Sequence, residues 1–200
     1  MSRVSSVLRP GSGTNPGSGP SEDLLILVDE EDRPIGTLPK SEGHLGAGRL
    51  HRAFSVFLFD QQGSVLIQQR AAGKMLWPGY WSNSCCSHPR PGEEIQPAAQ
   101  RRVREELELE CRLRFLYKFR YQARFGDVGS EHELCYVYAG FPRGELKVDP
   151  AEISDHRWIA PDDLTRAIAD DPDRFSPWMK MEWLRITAEF MDGIRRDLRD

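Results

Sequence analysis

Apolar positions along the chain fall into runs short enough for strands, broken once by a segment in which they return at helical spacing. LLILV, from Leu24, is a compact apolar run closed by the turn-forming EEDRP, which predicts a strand and a turn. HRAFSVFLFD and SVLIQQR, separated by QQG, read as a β-hairpin whose first strand, apolar on both faces, is expected to be central. Between these pieces, GTLPKSEGHLGAGRL is too rich in glycine for a regular element. The period then changes in EEIQPAAQRRVREELELE. Ala99, Val103 and Leu107 recur on one face, Arg101, Arg104, Glu105 and Glu108 lie opposite, and Pro97 suits a first turn, so an amphipathic helix is predicted. FLYKFRYQARF and HELCYVYAGF alternate and predict two strands joined by a GDVGSE loop. ISDHRWIA predicts a further strand, PDDLTRAIAD a short helix with Pro161 near its start, and SPWMKMEWLRITAEFMDGIRRDLRD a longer closing helix. Strands around one strong helix, with helices trailing, predict the α/β class: a sandwich with a mixed sheet.

Composition narrows the class. At 200 residues, 39% hydrophobic and 29% charged, the chain has the length and balance of a single soluble domain. The Gly-, Ser- and Pro-rich residues 1–22 read as a disordered leader, leaving 23–200 as the folded unit. A net charge of −4 gives no basic face for nucleic acid. No apolar run nears the roughly 20 residues that span a bilayer, and the N-terminus lacks the apolar core of a signal peptide. A cytoplasmic protein without a membrane partner, monomer or weak homodimer, is expected. Cys85, Cys86, Cys111 and Cys135 include no CxxC pair, and adjacent cysteines rarely bridge each other, so reduced thiols are expected.

The chemistry-bearing residues concentrate in a few places. WSNSCCSHP sets two thiols beside an imidazole, an arrangement open to structural zinc, nucleophilic catalysis or proton transfer. His44 and His51 flank the glycine-rich stretch, and Glu131 and Glu133, two apart on a strand, share a face. With His88 these make a donor set for a first-row divalent metal, although each residue alone is equally a surface group. Glu105 and Glu106, with Glu93 upstream, can hold a hard cation or simply pair with Arg101 on a solvated helix face. Lys40, Arg70 and Lys74 can clamp an anion or be plain surface charge.

Taken together, these blocks carry a resemblance. GTLPKSEGH, RLHRAFS, RAAGKMLWPG, WSNSCCSHP, FRYQA, EHE and FSPWM, in that order, resemble the type I isopentenyl-diphosphate isomerase family of the Nudix superfamily from about Leu24 onward. The Nudix pattern G-x5-E-x7-R-E-U-x-E-E-x-G-U, where U is bulky and apolar, lies over residues 87–109. Glu93, Arg101, Val103, Glu105, Glu106 and Leu109 satisfy it; Ser87, Arg102 and Glu108 stand where glycine, glutamate and glycine are expected. The missing glutamate implies a box poorly equipped for hydrolysis, so a Nudix pyrophosphohydrolase is the alternative and a non-catalytic metal-stabilised module a third reading.

The resemblance implies a Nudix-type α/β/α sandwich that interconverts isopentenyl and dimethylallyl diphosphates. It implies one divalent metal, Mn2+ or Zn2+, on His44, His51, His88, Glu131 and Glu133, and Mg2+ at Glu106 bridging to the substrate diphosphate. It puts the catalytic thiol at Cys86 and the catalytic carboxylate at Glu133. Tyr121 and Trp178 belong to the same pocket, and Lys40, Arg70 and Lys74 lie on the diphosphate side. Such a reaction needs two acid–base groups across a flat alkene and an aromatic face for the cation. If its loop is extended, Cys85 points away from Cys86 and serves packing.

Overall fold

The computed structural model describes residues 24–199; the leader expected over 1–22 lies outside the described residues. β1 (Leu24–Val28) turns back into β2 (Pro34–Pro39), and one helical turn, α1 (Lys40–Gly43), follows directly. β3 (His51–Leu58) and β4 (Val65–Arg70) precede two short strands, β5 (Trp81–Ser82) and β6 (Cys85–Ser87). After α2 (Ile95–Leu107) come the long strands β7 (Glu110–Phe125) and β8 (Gly129–Arg143), then β9 (Ile153–Ile159) and α3 (Pro161–Asp170). α4 (Pro177–Arg185) and α5 (Met191–Asp197) close the chain.

The main sheet runs β2-β1-β3-β8-β7, with β6 also on β3. The β3–β8 pair is parallel and β7–β8 antiparallel, so the sheet is mixed and β3 is central, as its two apolar faces predict. Alternation along β3 divides the core. Ala53 and Phe57 join Trp178, Trp183 and the C-terminal helices on one face; Phe54, Val56 and Leu58 join Ala99, Val103 and Leu107 of α2 on the other. Helices therefore cover both faces of the sheet, the α/β sandwich that was expected.

Three expectations are corrected. The β3–β4 hairpin does not form: one bridge, Phe59 to Val65, links the two runs, and β4 belongs to a second sheet of order β5-β4-β9. The edges of β3 are already occupied by β8 on one side and by β1 and β6 on the other. The stretch from Gly36, read as irregular, instead supplies most of β2 and all of α1. Cross-strand pairing of Leu38 with Leu25 and Thr37 with Ile26 outweighs its glycine content. The closing helix is interrupted by a π-helical segment, Ile186–Phe190, where the Thr187 hydroxyl donates to the Trp183 carbonyl at 2.9 Å and competes for the helical ladder.

α1 carries Lys40 at its start and delivers His44 at its end. This loop is stapled to β8: the Ser130 N–H donates to the His44 carbonyl at 2.9 Å. Gly129 makes that approach possible, since a Cβ there would stand 2.3 Å from the same carbonyl oxygen.

Candidate active site

Backbone register assembles the candidate metal ligands. His51 opens β3 directly opposite Glu133 of β8. Glu131 lies two residues earlier on β8, on the same face, while His44 follows α1 and His88 follows β6. The three imidazole centroids lie 4.8 to 5.5 Å apart, and one ligand atom from each of the five residues lies within 4.8 Å of all the others. Metal–nitrogen bonds of about 2.1 Å place opposite ligands just over 4 Å apart, so the set is close to the required size.

These atoms converge on a point more than on one another. Nε2 of His44, His51 and His88 and Oε2 of Glu131 are buried without a hydrogen-bond partner. His44 Nε2 comes within 2.8 Å of Glu131 Oε2, and His88 and His51 Nε2 lie 3.4 and 3.8 Å from Glu133 Oε1, yet none of these approaches completes a hydrogen bond. Nδ1 of His44 and of His51 sits 2.8 and 2.6 Å from the carbonyl oxygens of Lys40 and Arg49. Nδ1 therefore carries the hydrogen and Nε2 offers a lone pair. Burial pushes His51 down to about 4 and His88 well below the ordinary imidazole value, keeping both rings in the neutral, ligating form. Burial alone would raise Glu131, but the charge that His44 carries when protonated outweighs that and holds the carboxyl below the usual carboxylate range, and the same pairing raises His44 against its own burial. Glu133 is pushed up by its burial and by the Glu131 charge. Buried, orphaned nitrogen and oxygen donors at this spacing fit a divalent cation.

A cavity of about 370 Å³ opens beside this cluster, and Cys86, Tyr121, Glu133 and Trp178 all line it, together with Lys40, Arg70 and Lys74. β6 sets Cys86 opposite Ser55, while Cys85 is fully buried against α2 on the far face, the packing role expected of it. Burial pushes the Cys86 thiol up to about 12, and Arg70, with Nη1 4.0 Å from the sulfur, pulls in the opposite direction. The Tyr121 hydroxyl donates to Glu133 Oε2 at 2.7 Å. The Trp178 indole N–H lies 3.0 Å from both Ser82 Oγ and Asn83 Oδ1, which fixes the ring plane. Trp77 packs edge-on against that ring and Trp81 is buried, both as core.

Two placements differ from the simple picture. Arg70 is tied to the carbonyls of Leu76 and Trp77, with its guanidinium carbon 5.2 Å from the Trp178 ring centroid, so its charge reaches the thiol and the indole as well as any bound anion. Glu106 does not line the large cavity. It is buried on α2, 2% exposed, and closely ion-paired with Arg102. Arg102, singled out in the sequence only as a departure from a pattern, also meets Glu105 at 2.9 Å and Glu152 at 3.2 Å. It lines a smaller cleft with Lys40, Ser87 and His88, three residues of the main cavity. Ser87, Met75 and Leu76 line the main cavity without having been named for it; each lies inside a quoted block, Ser87 in WSNSCCSHP and the other two in RAAGKMLWPG.

Residues 49–179 match the NUDIX domain family. Isopentenyl-diphosphate Delta-isomerase 1 of Photorhabdus laumondii is 45% identical over 172 residues, covering 85% of this chain and 98% of that protein. The isopentenyl-diphosphate Delta-isomerase of Pectobacterium atrosepticum is 39% identical over 162 residues, 81% of this chain and 90% of that one. The chain belongs to the isopentenyl-diphosphate isomerase family of NUDIX proteins. Among solved structures, DR0079 from Deinococcus radiodurans superposes with a TM-score of 0.62 at 28% identity, covering 74% of this chain and 90% of that one. A MutT NUDIX hydrolase from Burkholderia pseudomallei shares the fold, with a TM-score of 0.56 at 19% identity over 69% of this chain and 98% of its own. Against that NUDIX frame, the acidic helix here is largely neutralised. Arg101 pairs with Glu93 at 2.7 Å and Glu105 at 3.0 Å, and Arg102 engages Glu105 and Glu106.

Proposed function

We propose that this cavity interconverts isopentenyl and dimethylallyl diphosphates by moving protons between the Glu133–Tyr121 pair and Cys86. The chain is an isomerase of the C=C bond. The observation that carries the residue assignment is that a thiol and a hydrogen-bonded Tyr–Glu pair line one cavity, with the Trp178 indole and three cations lining it too.

In the forward direction the Glu133–Tyr121 pair delivers a proton to the terminal alkene carbon, whose π electrons form the new C–H bond. The tertiary cation that results faces the Trp178 ring, a contact worth roughly 2 kcal/mol once desolvated. Cys86, as thiolate, then takes a proton from the carbon nearer the diphosphate, and that C–H electron pair becomes the new double bond. Arg70 beside the sulfur offsets part of the burial, but with Arg70 counted the thiol still stands at about 12, so the thiolate that takes the proton is a minority form. In reverse the thiol donates and the carboxylate accepts. Met75 and Leu76 give the cavity an apolar wall, which helps keep water from the cation. His44, His51, His88, Glu131 and Glu133 would hold Mn2+ or Zn2+, which when bound would fix the Glu133 carboxylate and make it a stronger acid. Lys40, Arg70 and Lys74 hold the diphosphate, remote from the reacting carbons. Glu106, the candidate Mg2+ ligand, would have to give up its close ion pair with Arg102 to hold the cation there.

Arg102 disfavours the hydrolase reading, because its guanidinium claims the Glu106 carboxylate and stands where hydrolysis wants another acid. Incubation with isopentenyl diphosphate and Mg2+ tests the reading: dimethylallyl diphosphate without released phosphate is expected. Phosphate alone would turn the assignment to a hydrolase. Glu133→Gln in metal-replete protein is expected to lose isomerisation by about 10³-fold; wild-type rates would remove Glu133 from the chemistry.

A further inference from the structure

Between β8 and β9 a carboxylate that the proposed mechanism leaves unused reaches into the cation group. Glu152 forms a close ion pair with Lys74 through Oε2, and its Oε1 lies 3.2 Å from Arg102 Nη2. Its backbone is anchored at both ends: the Ala71 N–H donates to its carbonyl at 3.0 Å, and its own N–H donates to the Asp149 carbonyl at 3.0 Å. Asp149 is in turn bonded through its N–H to the Glu106 carbonyl at 2.9 Å. The side chain is thus aimed by the end of β4 and the end of α2, and it lines the cleft that adjoins the main cavity. Arg102 carries Glu106 and Glu152 together, so two carboxylates already occupy donors of Lys74 and Arg102 before any substrate arrives.

We propose that Glu152 is a specificity-determining residue that makes diphosphate binding depend on an accompanying divalent cation, by occupying Lys74 and Arg102 against bare anions. The inference rests on the reading that Lys40, Arg70 and Lys74 receive the diphosphate. A metal-free anion entering this group must break the Lys74–Glu152 pair and then lie beside an uncompensated carboxylate, an arrangement that electrostatics penalises in a part-buried site. A diphosphate that brings a divalent cation offers Glu152 a new positive neighbour, so the same displacement loses little. The carboxylate thereby discriminates against free phosphate and metal-free pyrophosphate while leaving the metal-bound diphosphate ester acceptable.

Titration calorimetry with inorganic pyrophosphate, with and without added Mg2+, tests this on the intact protein. Wild type is expected to bind at least about tenfold more tightly with Mg2+ than without it. Removing one charge at contact distance, discounted for solvent screening, corresponds to about a tenfold change. Glu152→Gln is therefore expected to bind metal-free pyrophosphate about tenfold more tightly than wild type and to lose most of the Mg2+ enhancement. Glu152→Asp keeps the charge and is expected to group with wild type. An unchanged Mg2+ enhancement in Glu152→Gln overturns the proposal, as does Glu152→Asp behaving like Glu152→Gln. Failure of wild type to bind pyrophosphate under either condition instead removes the diphosphate reading of the cation group.

Discussion

Glu182 takes a carboxyl into the core on the turn of α4 that follows Trp178, and no cation meets it there among the described residues. It is 0% exposed, Oε1 has the Cys135 sulfur at 3.6 Å, and Oε2 has no partner. Burial pushes this carboxyl up to about 8 from an ordinary value near 4.5. A raised carboxyl binds its proton more tightly folded than unfolded, so its contribution to stability is whole below pH 4.5 and drains away as pH rises toward 8. At 1.36 kcal/mol for each unit of displacement, the loss by pH 7 is about 3 kcal/mol. Glu182→Gln is thus expected to stabilise the protein by about 3 kcal/mol near pH 7 and by little near pH 4, as read by urea unfolding at both pH values; an equal gain at both would refute the account. The adjacent thiols make the complementary case. Cys85→Ala is expected to cost about 1 kcal/mol of stability from lost core volume, with turnover nearly intact. Cys86→Ala is expected to leave stability near wild type and abolish measurable isomerisation. Equal loss of activity from both would mean that the wrong sulfur has been assigned. That the two sulfurs face opposite sides was legible in the chain itself, because successive residues of an extended segment do so; which of them is catalytic came from the family resemblance.

Elements were legible where one periodicity served one buried face. α2 was readable for that reason: Ala99, Val103 and Leu107 are each 0% exposed on the face that the four-residue spacing marks. The hairpin was misread because β3 and β4 look alike in sequence, both apolar on two faces, and nothing local records that β8 and β6 will claim the edges of β3. β2 and α1 were missed because their order comes from pairing with β1, which a glycine count does not register. At the end of α2 the NUDIX pattern does predict local geometry. Glu108 stands where that pattern has glycine, and the backbone keeps the left-handed turn, φ 52° and ψ 26°. A side chain in that region costs about 1–2 kcal/mol relative to glycine. Glu108→Gly is accordingly expected to raise stability by about 1 kcal/mol, a rise in Tm of about 2–4 °C for a chain of this size, with activity unchanged. A lower Tm would show that the glutamate side chain contributes more than the backbone strain removes, its 3.3 Å approach to Lys147 being the contact at issue.

On the scale of the whole molecule, the five candidate metal ligands are drawn from four separate parts of the chain. His44 comes from the loop after α1, His51 from β3, His88 from the end of β6, and Glu131 and Glu133 from β8, across 90 residues of sequence. Their residue types were readable one by one, but their convergence depends on the parallel β3–β8 register, a long-range pairing with no local signature. Stripped of an ion, the fold would leave three lone-pair nitrogens and a carboxylate oxygen buried without partners, each a desolvation cost of about 1–3 kcal/mol. An ion that binds only the folded arrangement relieves those costs and stabilises by mass action, by about 2.7 kcal/mol at a hundred times its Kd. Exhaustive chelation is therefore expected to lower Tm by about 5–10 °C, and Mn2+ or Zn2+ added back to restore it. In His51→Ala, which removes one donor from the buried centre of the set, the difference between chelated and metal-replete protein is expected to shrink severalfold. The readout is thermal, so it separates the metal's hold on the fold from any role in turnover. Coincident melting of chelated and replete wild type would show that the cluster holds no ion, and the orphaned donors would then stand as uncompensated strain at the floor of the cavity.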